Sequence, residues 1–214
     1  MSMTDYAQNK FTDARWRGQA LGAPATWYFA LICATKGLLA RSTAYAQNDT
    51  VVKQIGGKYV LYACTTAGTS AAGDPGIYFA ARGEVVTDGS AVFTEQSNAL
   101  DAGTYTEVSA SGTGYARGSL AASLANFAGT QAPGSITAST GTNGTTSNNT
   151  AVAFPSPSAQ WHPTNGLIVG VVACDAATGG NPWEWAMLSA PKSVNQTDPA
   201  PSISAGVFTS QIGA

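Results

Sequence analysis

Between Thr43 and Glu95 the sequence holds three short apolar runs, each closed by residues that turn the chain. Thr50-Val51-Val52 ends near Gly56-Gly57. Lys58 to Thr65 alternates Tyr59, Leu61 and Ala63 against Val60, Tyr62 and Cys64. Ala91-Val92-Phe93-Thr94 follows the turn signal Asp88-Gly89. Runs this short, with a period of two, fit strands. Strands joined by Gly and Asp turns pair antiparallel with their sequence neighbours. The stretch therefore predicts a small three-stranded β module. About 50 residues bury only a thin core, so such a module leans on aromatic rings or on a host domain.

The flanking chain reads as that host. Thr4 to Arg17 predicts a helix, with Thr4 as N-cap, Asp5 in the first turn and Gly18 as the stop. Ala7, Phe11 and Ala14 fall roughly on one face. Phe11 and Trp16 would serve either packing on the protein's own sheet or an assembly arm. Thr26 to Thr35 (TWYFALICAT) predicts a strand buried on both faces. Further strands are expected at Tyr105 to Val108, from Gly114 towards Leu124 and Phe127, and at Thr150 to Phe154. Leu167 to Asp175, the most apolar run, predicts a central strand. In Trp183 to Ala190 the alternation puts Trp183, Trp185 and Met187 on one face, and Glu184, Ala186 and Leu188 on the other. A closing strand runs over Ile203 to Ile212. Gly129 to Asn149 is Gly/Thr/Ser/Asn-rich and reads as an exposed loop or a sparse strand pair. The expected fold class is all-β: a jelly-roll-like β-sandwich with a short N-terminal helix and a small inserted three-stranded β module. The host comprises residues 1–41 and 97–214. The insert, 42–96, sits at a loop tip and is expected to project outward.

Composition narrows the function. Charged residues make up 10% of the 214, against roughly 25% in an average soluble protein. A surface poor in charge suits a protein packed in an assembly. The net charge of −2 gives no reason to expect a nucleic-acid surface. No apolar run approaches the ~18 residues of a membrane span, and the polar start from Met1 to Lys10 carries no secretory signal. The three cysteines, Cys33, Cys64 and Cys174, lie in or beside apolar runs and read as buried reduced thiols.

No catalytic constellation is legible. His162 is the single histidine and sits in a Trp161-His162-Pro163 turn. No G-x-S-x-G elbow accompanies it. Asp74-Pro75 and Asp88-Gly89 are turn residues before they are acids. No D-x-D-x-D-G run offers a calcium loop. The expectation is a non-enzyme with no cofactor and no metal. The candidates for recognition are aromatic: Tyr45, Tyr59, Tyr62, Tyr78 and Phe79 crowd the insert. Such rings stack on sugars as they stack on each other, or form the insert's own core.

Two resemblances add to this. AYAQNDTVV, GGKYVLYACTTAGTSAAGDPG and GEVVTDGSAVFTE resemble a small β module of phage structural proteins, similar in outline to carbohydrate-binding modules of chitinases. That module often carries a Trp near Ile77 to Phe79, where this chain reads Ile-Tyr-Phe. The host segments Ala23-Pro24, Thr106 to Val108, Gly114 to Arg117, Cys174 to Asn181 and Trp185 to Lys192 resemble a group of tailed-phage virion proteins labelled tail-fibre-like. Similar β-sandwich proteins serve as cement on heads. The resemblance implies a structural virion protein, expected first as a capsid decoration protein. It would bind the major capsid protein as a homo-oligomer (dimer or trimer) on the capsid surface, after assembly in the host cytoplasm. The alternative it implies is a tail-fibre or receptor-binding component recognising host surface glycans.

Overall fold

The computed structural model describes residues 1–79, 81–142 and 144–212. The chain opens with β1 (Ser2–Met3), α1 (Asp5–Trp16) and β2 (Thr26–Ala34). The inserted segment holds β3 (Ala44–Tyr45), β4 (Thr50–Ile55), β5 (Lys58–Thr66), β6 (Gly68–Thr69), β7 (Val85–Asp88) and β8 (Ala91–Glu95). After α2 (Ser97–Asp101) come β9 (Gly118–Ala121), β10 (Thr145–Ser147) and β11 (Val152–Ala153). The chain closes with β12 (Leu167–Cys174), β13 (Pro182–Lys192), β14 (Ser202–Ile203) and β15 (Thr209–Gln211). The fold is an all-β sandwich with a short N-terminal helix.

The main sheet runs β1-β13-β12-β2-β9, antiparallel throughout. In β2 the side chains alternate between two cores: Phe29, Leu31 and Cys33 enter one, Ala30, Ile32 and Ala34 the other. β12 alternates with one interruption. Ile168 and Val171 share the first core, while Val169 and Val172 share the second. A register shift between Ile168 and Gly170 inserts the residue that resets the alternation. A Cβ at Gly170 would lie 2.8 Å from Ile32 Cδ1 and 2.9 Å from the Ala186 carbonyl oxygen. Glycine is what lets the three central strands close up there.

The first core is covered by short ladders, β10 with β15 and β11 with β14. Rings fill the gaps that so little strand leaves: Tyr115 meets Trp161 edge-on at 5.2 Å, and Phe29 meets Phe208 at 5.2 Å. Asn148 is buried among them and ties three segments. Its Nδ2 donates to the carbonyls of Thr150 (2.9 Å) and Ser204 (3.0 Å), and its Oδ1 accepts from Phe208 N (3.0 Å).

The second core joins host and insert. The insert's four-stranded sheet runs β4-β5-β8-β7, one strand more than the sequence pattern predicts. Val85–Asp88 is too short and too exposed to stand out in sequence, and its ladder with β8 makes it a strand. Val52, Leu61 and Tyr59 pack with Ile32, Val169, Val172 and Trp185 of the main sheet. The opposite face carries the module's own core, including Val51, Tyr62, Cys64 and Phe93. An insert apolar on both faces lies down on its host as a third layer rather than projecting from it.

Local readings change in several places. The closing strand expected over Ile203 to Ile212 is two short strands, β14 and β15, parted by a turn in which Val207 N donates to the Ser204 carbonyl oxygen at 3.2 Å. Tyr105 to Val108 forms no named strand, yet Cys33 N donates to Thr106 O at 2.8 Å and Val108 N to Leu31 O at 3.1 Å. It thus continues the β2 edge beyond β9. The strand expected from Gly114 to Phe127 is only β9, because the chain turns at Ser123. Trp183 does not share a face with Trp185. A register shift between Ala173 and Cys174 leaves Trp183 unmatched. Its ring turns to Trp27 (5.5 Å) and Tyr6 (5.4 Å), while Trp185 enters the second core.

Candidate contact surface

A module this small must spend its rings on itself. Tyr45, Tyr62 and Tyr78 are buried. Tyr45 meets Phe93 edge-on at 5.2 Å and Tyr62 meets Tyr78 at 5.1 Å. Tyr59 is half-buried against the main sheet. Burial therefore takes Tyr45, Tyr62 and Tyr78 out of reach of a partner, and gives Tyr59 a packing role between the layers. Of the five candidates, Phe79 is the exposed one, with 69% of its surface open to solvent.

What holds Phe79 outward is a buried acid. The Asp88 carboxylate accepts from Tyr78 Oη (2.7 Å), Arg41 Nη1 (3.0 Å) and Ala71 N (2.9 Å). Burial pushes this carboxyl up, but the hydrogen bonds from Tyr78 and Arg41 outweigh it and hold Asp88 below the usual carboxylate range. The knot pins Tyr78 inward, so its neighbours Ile77 and Phe79 point outward. Gly89 completes the turn with φ +67°, where a Cβ would sit 2.2 Å from the Thr69 carbonyl oxygen. Phe79 N donates to Glu84 Oε2 at 3.0 Å, tying the loop to the strand that follows it. Val85, 64% exposed, opens that strand, β7, which is the free edge of the module's sheet. Behind the patch Arg82 pairs with Asp101, and Asp101 accepts from Trp185 Nε1 at 2.8 Å. Ile77, Phe79 and Val85 are thus exposed apolar side chains on one braced stretch of chain, the apolar tip of the module.

The motifs at Thr106 to Val108, Gly114 to Arg117 and Cys174 to Asn181 converge on the host. Arg117 donates to Glu107 through Nε (2.8 Å) and Nη2 (2.7 Å) as a two-pronged pair. Its Nη1 reaches the carbonyls of Ala176 and Gly179, each at 2.8 Å. Tyr115 Oη donates to Glu107 Oε1 (3.0 Å) and accepts from Leu31 N (2.9 Å). The hydrogen bonds that Arg117 donates to Glu107 lead in raising the Arg117 pKa against its burial. Asp175 accepts from the Asn181 backbone (2.7 Å) and side chain (2.8 Å), closing the loop that Arg117 grips. Each donor in this cluster is matched to an acceptor within the fold, so its residues act as a latch. Spacing alone did not reveal it, because the partners are 10 and about 60 residues apart.

The remaining candidates are structural in placement. His162 Nδ1 lies 2.8 Å from Gln160 Nε2 and 3.0 Å from the Pro163 carbonyl oxygen, within its own turn. Cys33, Cys64 and Cys174 are free and buried, and burial pushes the Cys33 thiol up to about 11. Among the described residues, no group of three or more His, Cys, Asp or Glu is placed to hold a metal ion. In α1, Thr4 caps Ala7 N at 3.3 Å and Phe11 packs edge-on to Trp183 at 6.4 Å. Phe11 thus packs on the protein's own sheet, while Trp16 is exposed.

A family model described as Podophage GP4 fiber I protein gp80 matches residues 77–211, more than half of the chain. The match opens at Ile77, within the insert, and takes in the apolar tip, the Glu107–Arg117 latch and the Asp175 loop. No curated protein matches the chain.

Proposed function

Because the chain belongs to the family of podophage GP4 fiber I protein gp80, and so is a structural protein of a tailed-phage virion, we propose that it is a fibre component that contacts the host surface. The observation carrying this is the apolar tip of Ile77, Phe79 and Val85, which lies inside the family match and is held outward by the Asp88 knot. An exposed aromatic ring is the group that stacks on the apolar face of a sugar. The proposed partner is a host surface glycan, and the proposed action is binding, with no catalytic step. The capsid-decoration reading, in which the protein binds the major capsid protein as a homo-oligomer, draws on the low charge content. The family description favours the fibre, and we adopt it.

Adsorption to host cells tests the proposal. Phe79→Ser combined with Val85→Ser changes exposed side chains, so stability should move by no more than about 0.5 kcal/mol. Binding of the purified chain to host cells should fall by about tenfold or more, as expected for losing one stacked ring and its apolar neighbour. Unchanged adsorption by the folded double variant would remove the tip from the function.

A further inference from the structure

The charges of this chain are unevenly placed. From Gly118 to Cys174, and again from Pro199 to the end, the sequence holds no Asp, Glu, Lys or Arg. With 10% of residues charged overall, the longer stretch alone would ordinarily hold several. The fold brings the two stretches together. β10 pairs with β15 and β11 with β14, so they form the lid over the first core. Four large apolar side chains stand open on these stretches: Leu124 (55% exposed), Ile136 (64%), Val207 (67%) and Ile212 (53%). Leu124 and Ile212 border one hollow with Ala128 and Thr146, and the last two border a second hollow with Gly206, beside Val207. Ile136 is displayed by a loop that its own side chains tie down. Gln131 Nε2 donates to Thr137 Oγ1 (2.9 Å), its Oε1 accepts from Thr140 N (3.2 Å), and Asn149 Nδ2 donates to the Ser135 carbonyl oxygen (3.1 Å). Charged groups meet the lid along its β13 side: Lys192, Asp198, Glu184 beneath Ser210, and the amino terminus of Met1 at the Thr209 carbonyl oxygen.

Charge is depleted where protein surfaces meet, because a charge buried there without a counter-charge costs free energy. That argument also selects the partner. A partner bearing charges would find no counter-charge on this face. In a contact between identical faces each patch meets its own copy, so any one-signed patch would be repelled and a neutral one is not. We propose that this uncharged lid is the surface by which two copies of the chain associate, lid against lid, with Leu124, Ile136, Val207 and Ile212 supplying the apolar contacts. The placement of the insert agrees with this. The lid covers one face of the main sheet and the insert packs on the other. Copies joined by their lids therefore leave the insert, with Phe79 and Val85, turned away from the contact and open to a host surface.

Sedimentation equilibrium of the full chain tests this. The parent should associate reversibly into species larger than one chain. Two double variants place like charges on the lid: Ile136→Lys with Val207→Lys, and Ile136→Glu with Val207→Glu. All four positions are exposed, so the monomer should stay folded by circular dichroism. Each double variant alone should associate about tenfold or more weakly than the parent, and an equimolar mixture of the two should regain association, because opposite charges then face each other. Phe79→Ser, on the insert, should leave association unchanged. If the 136/207 variants fail to fold, Leu124→Lys and Leu124→Glu carry the same comparison. A parent that stays monomeric, double variants that associate like the parent, or a mixture that associates no better than its components would each overturn the assignment.

Discussion

At the residue scale, the fold rests on a few polar groups that are buried and fully matched. Asn148 is the clearest. Asn148→Ala would strand the carbonyl of Thr150 and the amide of Phe208, and would remove one of the two donors to the Ser204 carbonyl. The expected loss is about 1–3 kcal/mol, measured by urea unfolding. Two carboxylates should titrate with opposite signs. Asp88, faced by Arg41 and Tyr78, is held low, so its contribution is complete above the ordinary Asp pKa of about 3.9 and is lost as pH falls through its lower folded value. Glu184, faced by Ser210 and the amino terminus, is pushed up by burial. The folded state therefore holds its proton more tightly, and stability falls as pH rises from about 4.3 through the raised value. Glu184→Gln should thus be more stable than the parent at pH 7 and equal to it below pH 4. A parent that is the more stable at neutral pH would show that Glu184 has a favourable partner in the free protein.

At the element scale, the insert and host are expected to unfold together, because Val52, Leu61 and Tyr59 share a core with Ile32, Val172 and Trp185. Leu61→Asp buries a charge at that seam and should cost several kcal/mol. The main sheet and the insert should then lose hydrogen-exchange protection together. Loss confined to the insert would show that the layers are independent. The elements were legible in the sequence where pattern and burial agree. The α1 cap at Thr4, β2 as a strand buried on both faces and β12 as a central strand follow from residue types and flanking turn residues. Projection of the insert was the wrong expectation. Alternation along β5 shows that Leu61 and Tyr62 face opposite ways, but not that both faces are covered. The face of Trp183 was hidden for a related reason. A β-bulge depends on the partner strand, and no local pattern announces it.

At the scale of the whole molecule, the sandwich is a braced frame that carries the candidate contact surface. The Glu107–Arg117 latch fixes the loop from Ala176 to Gly179 and joins it to β2 through Tyr115. Arg117→Ala leaves Glu107 partly buried and unpaired, and should destabilise the host by about 3–5 kcal/mol in thermal or urea unfolding. The aromatic residues that sequence offered as contacts turned out to divide by depth. The buried tyrosines build the module, and Phe79 is displayed by it. Alternation around Tyr78 carried that distinction in principle, but which side faced inward depended on Asp88, ten residues away.

The most direct measurement of the fibre assignment is immunogold electron microscopy of intact virions, with antibody raised against the purified chain. Gold confined to the fibres at the tail end is the expected result. Gold spread over the heads, with bare fibres, would contradict it and return the protein to the capsid surface.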